Sequence, residues 1–249
     1  MTSGMVALGA GALAVPRALA DADDKKLYEA AKKAGKVTWY SGYLDQPICD
    51  AVAKAFTAKY PGISVAATKT TSQVAFQRLM QDLNAGSVQA DIFSSTDAAH
   101  MTELIAKNKL VKYTPPNAAG LVPAIRDFNG GGYYRAGWVG LVTLFYNSKQ
   151  GSTAESPEDW AGLTDPKWKN KVAFGSPNYS GLVGVWTVGM AEKYGWSFFE
   201  KLNKLNPLIG RSIDDAVAVL NSGERSVGIC SAATALLSAA KGNPLVVNY

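Results

Sequence analysis

Histidine and cysteine are scarce in this chain, and their scarcity excludes several kinds of active site. The 249 residues include one histidine, His100, and two cysteines. There is no Cys-x-x-Cys motif and no pair of histidines, so the common zinc-binding spacings are missing. No G-x-S-x-G motif supplies a nucleophile to work with His100. The glycine run 130–132 lacks the Lys-Ser/Thr that completes a phosphate-binding loop. The sequence therefore predicts neither a metal site nor a cofactor.

A strong charge of one sign is also missing. Lysine and arginine number 25 and aspartate and glutamate 20, which gives a net charge of +5. Nucleic-acid-binding proteins usually concentrate their basic residues in one stripe, whereas here they are scattered. The basic run 167–171 is typical of a solvent-exposed turn. Because 47% of the residues are hydrophobic and 18% charged, we expect a folded protein that does not bind nucleic acid.

Long hydrophobic runs are confined to the N-terminus. Residues 5–15 contain only Met, Val, Ala, Leu and Gly, and Ala18-Leu19-Ala20 has the small-x-small pattern of a cleavage site. Residues 1–20 are therefore interpreted as a signal peptide cleaved after Ala20, although residues 1–4 lack the usual basic residue. Glycines and Pro16 disfavour the alternative, a buried N-terminal helix. No later run is long enough to span a membrane, so we expect an exported, periplasmic protein.

The two cysteines, Cys49 and Cys230, lie far apart in the sequence and outside any reactive motif. We expect both to be free, buried thiols, since free cysteine packs as a small hydrophobic residue. A disulfide between them is the alternative, because an exported protein meets an oxidising compartment.

Strand-like and helix-like segments alternate along the rest of the chain. Runs rich in β-branched and aromatic residues predict strands at residues 36–40, 63–67, 90–93, 134–146, 172–174, 208–210, 227–230 and 245–247. Helical periodicity follows most of them, Ser72 and Asp97 are candidate helix caps, and Ser156-Pro157-Glu158-Asp159 is typical of a helix start. This alternation indicates an α/β fold with mainly parallel sheets.

Two features divide this pattern into lobes. Residues 113–132 are rich in proline and glycine, and the strand-like run 134–146 is more than twice the usual strand length. A run of that length is typical of a segment that passes between two lobes. We therefore expect a first lobe at residues 21–133, a crossing strand or hinge at 134–147, a second lobe at 148–244, and the start of a return crossing to the first lobe at 245–249.

The candidate ligand-binding residues follow the predicted strands. In open α/β sheets, ligands bind beyond the carboxyl ends of the strands, where helix N-termini converge. Hydroxyl, glycine and aromatic residues recur at these places in both halves, and Tyr43 and Tyr179 are expected to close on a ligand from opposite sides. Each single hydroxyl is more often only a helix cap. The residues selected are Ser41, Tyr43, Ser72, Gln73, Ser94, Ser95, Asp97, Tyr179, Ser180, Gly181, Arg211, Ser212 and Ser231.

The chain resembles the extracellular solute-binding proteins of ABC importers over residues 25–249. The resemblance lies in the segments VTWYSGYLDQPICDAVAKAFTAKYPGISV, DIFSSTDAAHMTELIAKNKLV, LFYNSK, SPEDWAGLTDPKWKNKVAFGSPNYSG and LNSGERSVGI. It points to the branch of ferric-ion, thiamine, aminophosphonate and polyamine binders. It implies a type II periplasmic binding fold, whose two α/β lobes close on a small-molecule solute by hinge motion. The implied protein is a monomer without catalytic activity, and its second partner is an ABC permease in the inner membrane.

Two departures from this family limit what the resemblance implies. Iron-binding members have a histidine after the first strand and a tyrosine pair in the second lobe, whereas this chain has Tyr43-Leu44 and Cys230-Ser231-Ala232 there. The acidic ligand near the second helix is replaced by Ser72-Gln73, so an iron(III) site of that design is not implied. Gln73, Ser180-Gly181 and Arg211-Ser212 match the anion-holding positions in character. Family members also continue for several tens of residues beyond such a last strand, so we expect this chain to be truncated.

The candidate residues favour an oxygen-rich organic anion as the solute. Hydroxyl groups, Arg211 and helix N-termini donate hydrogen bonds or carry positive charge, and phosphate esters, phosphonates and carboxylates accept them. A polyamine would need several carboxylates, and only Asp97 and Asp45 are placed to help.

Other functions stay open at this point. An enzyme on the same fold would use Asp97 or Cys230, and neither has a visible partner in the sequence. An iron(III) binder would use a different ligand set. A periplasmic adaptor would deliver its solute to a receptor domain instead of a permease.

Overall fold

A computed structural model describes residues 22–152 and 155–248, and the predicted signal peptide lies outside this range. Its strands are β1 Lys36–Ser41, β2 Ser64–Lys69, β3 Ile92–Ser94, β4 Val142–Asn147, β5 Val172–Gly175, β6 Leu208–Gly210, β7 Val227–Ser231 and β8 Leu245–Asn248. Its helices are α1 Ala22–Ala34, α2 Gln46–Lys59, α3 Ser72–Asn84, α4 Ala98–Ala106, α5 Pro123–Arg126, α6 Gly181–Tyr194, α7 Ser197–Lys204, α8 Asp215–Asn221 and α9 Ala232–Ala240. In this part of the chain no helix has the length and apolar character needed to cross a membrane.

The first sheet is parallel and has the strand order β2-β1-β3. The chain reaches it through α/β units, as the sequence predicts. Tyr60 ends α2, and Gly62 adopts φ +91°, a left-handed conformation that turns the chain back into β2. The core of this sheet consists of Tyr40, Ala75, Leu79 and Leu104, which come from β1, α3 and α4.

The second sheet is mixed and has the strand order β6-β5-β7-β4-β8. Strand β5 is parallel to β6 and β7, whereas β4 is antiparallel to β7 and β8. A much larger core covers it and includes Phe145, Val172, Trp186 and Leu220. The expectation of parallel sheets is therefore met throughout the first sheet and in half of the second.

The predicted long strand 134–146 is wrong in its first half. Only Val142–Asn147 forms a strand, and residues 134–141 have no regular structure. Two glycines, Gly137 and Gly140, weaken β structure in the first half. The second half is stabilised because β4 pairs with a strand on each side, β7 and β8.

The helix predicted from Ser156-Pro157-Glu158-Asp159 is also wrong. Short 3-10 segments at Gly162–Thr164 and Pro166–Trp168 follow instead. Gly162 and Pro166 disfavour a continuous helix, and Trp168 Nε1 donates to the Gly162 carbonyl at 3.1 Å, which holds the turn closed.

Both cysteines are free and buried, as expected. Cys49 lies in α2, on the first sheet's side, and Cys230 lies in β7 of the second sheet.

Candidate ligand-binding site

Strand ends from the two sheets face each other across a small cavity of about 20 Å³. The first sheet contributes residues that follow β1, β2 and β3, and the second contributes residues that follow β5 and β6. The cavity is lined by Gly42, Tyr43, Lys69, Thr70, Thr71, Ser72, Thr96, Ser180, Leu182, Ser212, Ile213 and Asp214. Of the predicted site residues, Tyr43, Ser72, Ser180 and Ser212 are therefore brought together here.

Two contacts join the sheets beside this cavity. The Tyr43 hydroxyl and Ser231 Oγ share a hydrogen bond of 2.9 Å. Gly181 packs so closely against the first sheet that a Cβ atom there would lie 2.7 Å from Thr96 Oγ1. A side chain at position 181 would force this contact apart, so glycine is needed for the close approach.

The hydroxyl of Ser72 ties the strand ends of the first sheet together. Ser72 Oγ donates to the Gly42 carbonyl at 3.0 Å, accepts from the Thr96 amide at 3.0 Å, and lies 2.9 Å from Thr96 Oγ1. The predicted cap position of Ser72 is wrong by one residue, because Thr71 is the N-cap and Ser72 is the first residue of α3. Ser72 therefore shapes the cavity wall through contacts with its own sheet.

The residues after β3 form a local hydrogen-bonded group. Asp97 caps α4, as predicted, by accepting from the Ala99 amide at 2.9 Å. Gln73 Nε2 donates to Asp97 Oδ2 at 3.4 Å. Ser95 Oγ accepts from the Asp97 amide at 2.9 Å and lies 2.9 Å from His100 Nδ1, while His100 Nε2 is 3.7 Å from Asp97 Oδ2.

A serine, a histidine and a carboxylate are thus adjacent, but His100 is held as a packing residue. Its ring stacks on Phe76 with centroids 4.0 Å apart and is only 8% exposed. Burial lowers the pKa of His100, and the nearby Asp97 opposes this effect. These contacts build the start of α4. Ser94 is likewise engaged, since its hydroxyl accepts from Trp39 Nε1 at 2.8 Å.

Tyr179 and Arg211, which are predicted residues on the side of the second sheet, line neither cavity of this region. The Arg211 guanidinium lies over the Tyr179 ring, 4.9 Å from its centroid, and Tyr179 is 40% exposed. Tyr43 lines both cavities of this region and Tyr179 lines neither, and the hydroxyl partner of Tyr43 is Ser231. Ser180 is the N-cap of α6 and accepts from the Val183 amide at 3.5 Å.

Sequence analysis missed the charged residues of the cavity, Lys69 and Asp214. Lys69 Nζ lies 3.5 Å from Asp45 Oδ1. Burial raises the pKa of Asp214, a hydrogen bond from Thr234 lowers it, and the charge of Asp45 raises it. Lys69 ends β2, so its position at a strand end was a usable signal. Asp214 directly precedes α8, a place where an acidic residue is typical of a helix start and does not by itself indicate a ligand site.

A second cavity of about 820 Å³ adjoins the small one and shares Tyr43, Thr96 and Leu182 with it. It runs along β3 and the irregular segment before β4, and many of its lining side chains are apolar, including Phe128 and Trp138. The predicted residues Ser94, Ser95 and Asp97 line this larger cavity. Trp138 stacks on Tyr43 with centroids 5.9 Å apart, which fixes the tyrosine at the border of the two cavities.

Two other predicted residues lie outside the lining of both cavities. Ser41 and Ser231 are completely buried at the ends of β1 and β7. Burial raises the pKa of Cys230, so its thiol stays protonated and is a poor nucleophile. Within residues 22–152 and 155–248, no group of three or more His, Cys, Asp or Glu side chains is placed to hold a metal ion.

Solved structures similar to this chain include periplasmic binding proteins. No curated protein matches the chain. Among solved structures, the periplasmic binding protein AfuA from Actinobacillus pleuropneumoniae, with exogenous fructose-6-phosphate bound, has 22% identity and a TM-score of 0.77, with 86% of this chain and 68% of AfuA covered. Iron-bound HitA from Pseudomonas aeruginosa has 22% identity and a TM-score of 0.69, with 86% and 69% covered.

The ferric binding protein from Campylobacter jejuni has 17% identity and a TM-score of 0.67, with 86% of this chain and 70% of the other covered. At these identities the structures show a shared fold. The family is shown by sequence, because residues 37–249 match the family model described as bacterial extracellular solute-binding protein. The chain therefore belongs to the bacterial extracellular solute-binding proteins and has the fold of the periplasmic binding proteins of ABC importers.

Proposed function

We propose that this protein captures a small oxygen-rich organic anion between its two sheets and delivers it unchanged to an ABC permease. The observation that supports an anion is the donor-rich lining of the small cavity. Lys69, Thr70 and Thr71 lie together there, on the side of the first sheet. Lysine supplies positive charge and the two threonines supply hydroxyl donors, both of which suit phosphate or carboxylate oxygens.

Helix N-termini add to this positive potential. Helix α3 begins at Ser72 and α6 at Gly181, so both start beside the cavity. The first N–H groups of a helix have no partner within it, and the helix dipole places partial positive charge at that end. AfuA, which was solved with a sugar phosphate, and HitA, which was solved with iron, share the fold. The donor set of this chain fits the phosphate ester better than the metal ion.

Capture requires the two sheets to separate. Sites for small molecules usually have a volume of about 300–1,000 Å³, whereas the cavity at the strand ends has about 20 Å³. We propose that residues 21–133 and 148–244 act as lobes, that residues 134–147 contain the hinge, and that the protein works as a monomer. The hydrogen bond between Tyr43 and Ser231 then belongs to the closed form.

Export is part of the proposal. A signal peptide at residues 1–20 would bring the chain to the periplasm and leave Asp21 at the mature N-terminus. Mass spectrometry of protein from the periplasmic fraction tests this directly, and intact residues 1–20 would contradict it.

Calorimetry with a panel of solutes tests the anion proposal. The panel contains fructose 6-phosphate, glycerol 3-phosphate and citrate as anions, and spermidine and thiamine as cations. We expect binding to at least one anion and recovery of the bound molecule unchanged after incubation, by NMR. Affinity for the cations alone contradicts the proposed ligand class, and chemical conversion of a bound solute indicates an enzyme.

Lys69→Gln separates the charge of the cavity from the general charge of the surface. We expect it to weaken anion binding about tenfold or more, since a hydrogen bond to a charged group contributes about 1.5–3 kcal/mol. Lys107→Gln is the matched control, because Lys107 also lies 3.5 Å from a carboxylate, that of Glu103, but away from the cavity lining. Equal effects of the two substitutions would contradict a specific role for Lys69.

A further inference from the structure

An acidic side chain is unusual in the lining of a cavity proposed to bind an anion, and Asp214 is such a side chain. Asp214 lines the small cavity from the second sheet, opposite Lys69 and Thr71 of the first sheet. Its surroundings are crowded, because it lies between Ile213, which is buried, and the first turn of α8. A carboxylate in such a place repels a simple anion, so its presence restricts which anions the cavity can accept.

One oxygen of this carboxylate has no partner in the described part of the chain. The Asp214 amide donates to Ser212 Oγ at 3.2 Å, and Thr234 lies close enough to lower the pKa of the carboxyl group. Oδ1, however, is buried and unpaired among the described residues. A buried polar atom without a hydrogen bond is unfavourable, so a bound donor at this oxygen is favoured.

An unpaired hydroxyl lines the same cavity from the other sheet. Thr71 Oγ1 is buried and likewise has no partner in the part of the chain that the structure describes. A threonine hydroxyl can donate to an anionic oxygen, whereas an ionised carboxylate can only accept. The carboxylate oxygen therefore needs a hydrogen-bond donor on the ligand, whereas the threonine hydroxyl can donate to an anionic oxygen of the same ligand.

From this pair we infer that the solute carries a hydroxyl or ammonium group close to its anionic group, with Asp214 accepting from that donor while Lys69 and Thr71 hold the anion. Hydroxyalkyl and aminoalkyl phosphates or carboxylates have this chemistry, and simple alkyl phosphates do not. This inference rests on the proposed anion-binding function of the same cavity and names its substrate class more narrowly.

Matched pairs of phosphates test the inference by calorimetry. Glycerol 3-phosphate is compared with propyl phosphate, and 2-aminoethyl phosphate with ethyl phosphate, so the members of each pair differ only in the donor groups. We expect at least one pair in which the wild-type protein binds the donor-bearing member at least tenfold more tightly. Equal affinity within both pairs overturns the inference and leaves anion binding intact. Binding of spermidine or thiamine with no phosphate or carboxylate bound overturns the proposed function as well.

The substitution Asp214→Asn tests whether Asp214 causes the tighter binding of the donor-bearing phosphate. The amide is a weaker acceptor and carries no charge, so we expect the donor-bearing phosphate to bind less tightly and the alkyl phosphate to bind equally or more tightly. These opposite changes distinguish ligand contact from a structural role, in which both members would bind less tightly and the inference would fail. Asp214→Leu, checked by thermal melting, repeats the test without any acceptor.

Asp50→Asn is the charge control, because Asp50 is an exposed residue of α2 outside the cavity lining. We expect it to leave the ratio within each pair unchanged. A ratio that falls as much in this control as in Asp214→Asn would show a general charge effect and overturn the assignment.

Discussion

The two sheets differ in how much they bury. In the second sheet every residue of β5 and β7 is buried, and the surrounding core includes fully buried Leu220, Val172 and Val227. In the first sheet no residue of β2 is buried, and the core consists of four side chains. Hydrophobic burial is the main stabilising contribution to a fold, at about 25 cal/mol per Å². The second sheet is therefore the more stable platform.

The polar groups of the proposed binding site are distributed in the opposite way. The first sheet, with the smaller core, supplies Lys69, Thr70 and Thr71 to the small cavity, and the second sheet supplies Asp214. Regions with few buried contacts open at a lower free energy than large cores do. Most hydrogen-bond donors of the small cavity therefore lie on the side with the smaller core, and the Asp214 acceptor lies on the side with the larger core.

The largest expected effect comes from a matched pair of leucine substitutions. Leu220 and Leu104 are both 0% exposed, in the second and first core respectively. We expect Leu220→Ala to lower the free energy of unfolding by about 3–5 kcal/mol and Leu104→Ala by about 2–3 kcal/mol, because a small core collapses more easily around a deleted side chain. Urea unfolding measures both values.

Hydrogen exchange provides the control for this pair. Amide hydrogens of β1 and β2 should exchange faster than those of β5 and β7, and Leu104→Ala should accelerate only the first group. Equal destabilisation by the two substitutions, with uniform exchange, would show that the two cores unfold together and that the comparison is wrong.

The alternation of strands and helices was predictable because each short strand has its own hydrophobic run and each long helix its own apolar face. Strands β1 and β7 match their predicted ranges to within one residue. The wrong predictions concern segments whose local sequence pattern favours a strand or helix that the rest of the fold does not support. The run before β4 is rich in β-forming residues, but only Val142–Asn147 has partner strands. Gly162 and Pro166 outweighed the helix-start pattern at 156–159.

The location of the candidate site could be predicted from the sequence, but the identity of its lining residues could be predicted only in part. The rule that ligands bind beyond strand ends located Tyr43, Ser72, Ser180 and Ser212 around one cavity. The rule says nothing about which hydroxyls are already used by neighbouring strands, as Ser72 is. It also passed over Asp214, since the relation between Asp214 and Thr71 depends on how the two sheets pack and is not encoded in either segment alone.

A pH-dependent effect on stability is expected at His100, on the side of the first sheet. Burial lowers the pKa of His100 below its ordinary value of 6.5, so the unfolded chain takes up a proton at a higher pH than the folded one. Its contribution to stability is complete above pH 6.5 and is lost as the pH falls from 6.5 through the folded pKa. Between pH 7.5 and 5.5 we expect wild-type protein to lose more stability than His100→Gln.

Urea unfolding of both proteins at the two pH values measures this difference. The chain has a single histidine, so groups distant from position 100 contribute equally to both proteins. The charges of Asp97 and Glu103 act on His100, and their effect is part of the measured difference. Parallel losses of stability would show that His100 has the same pKa in the folded and unfolded states.

The smallest effect is expected at Arg211, and it tests whether the second sheet also supplies a cation to the proposed site. If the anion is held from the first sheet, a cation on the second sheet outside the cavity lining acts only at long range. Arg211 is exposed and lies over the ring of Tyr179. We therefore expect Arg211→Ala to weaken anion binding by less than about threefold, mainly through slower association at low salt, since exposed charges affect association rates more than contacts in the complex. Stopped-flow fluorescence at two ionic strengths measures this, with Lys69→Gln as the reference for a direct contact. A tenfold loss at high salt would place Arg211 against the solute, and both sheets would then supply cations to the site.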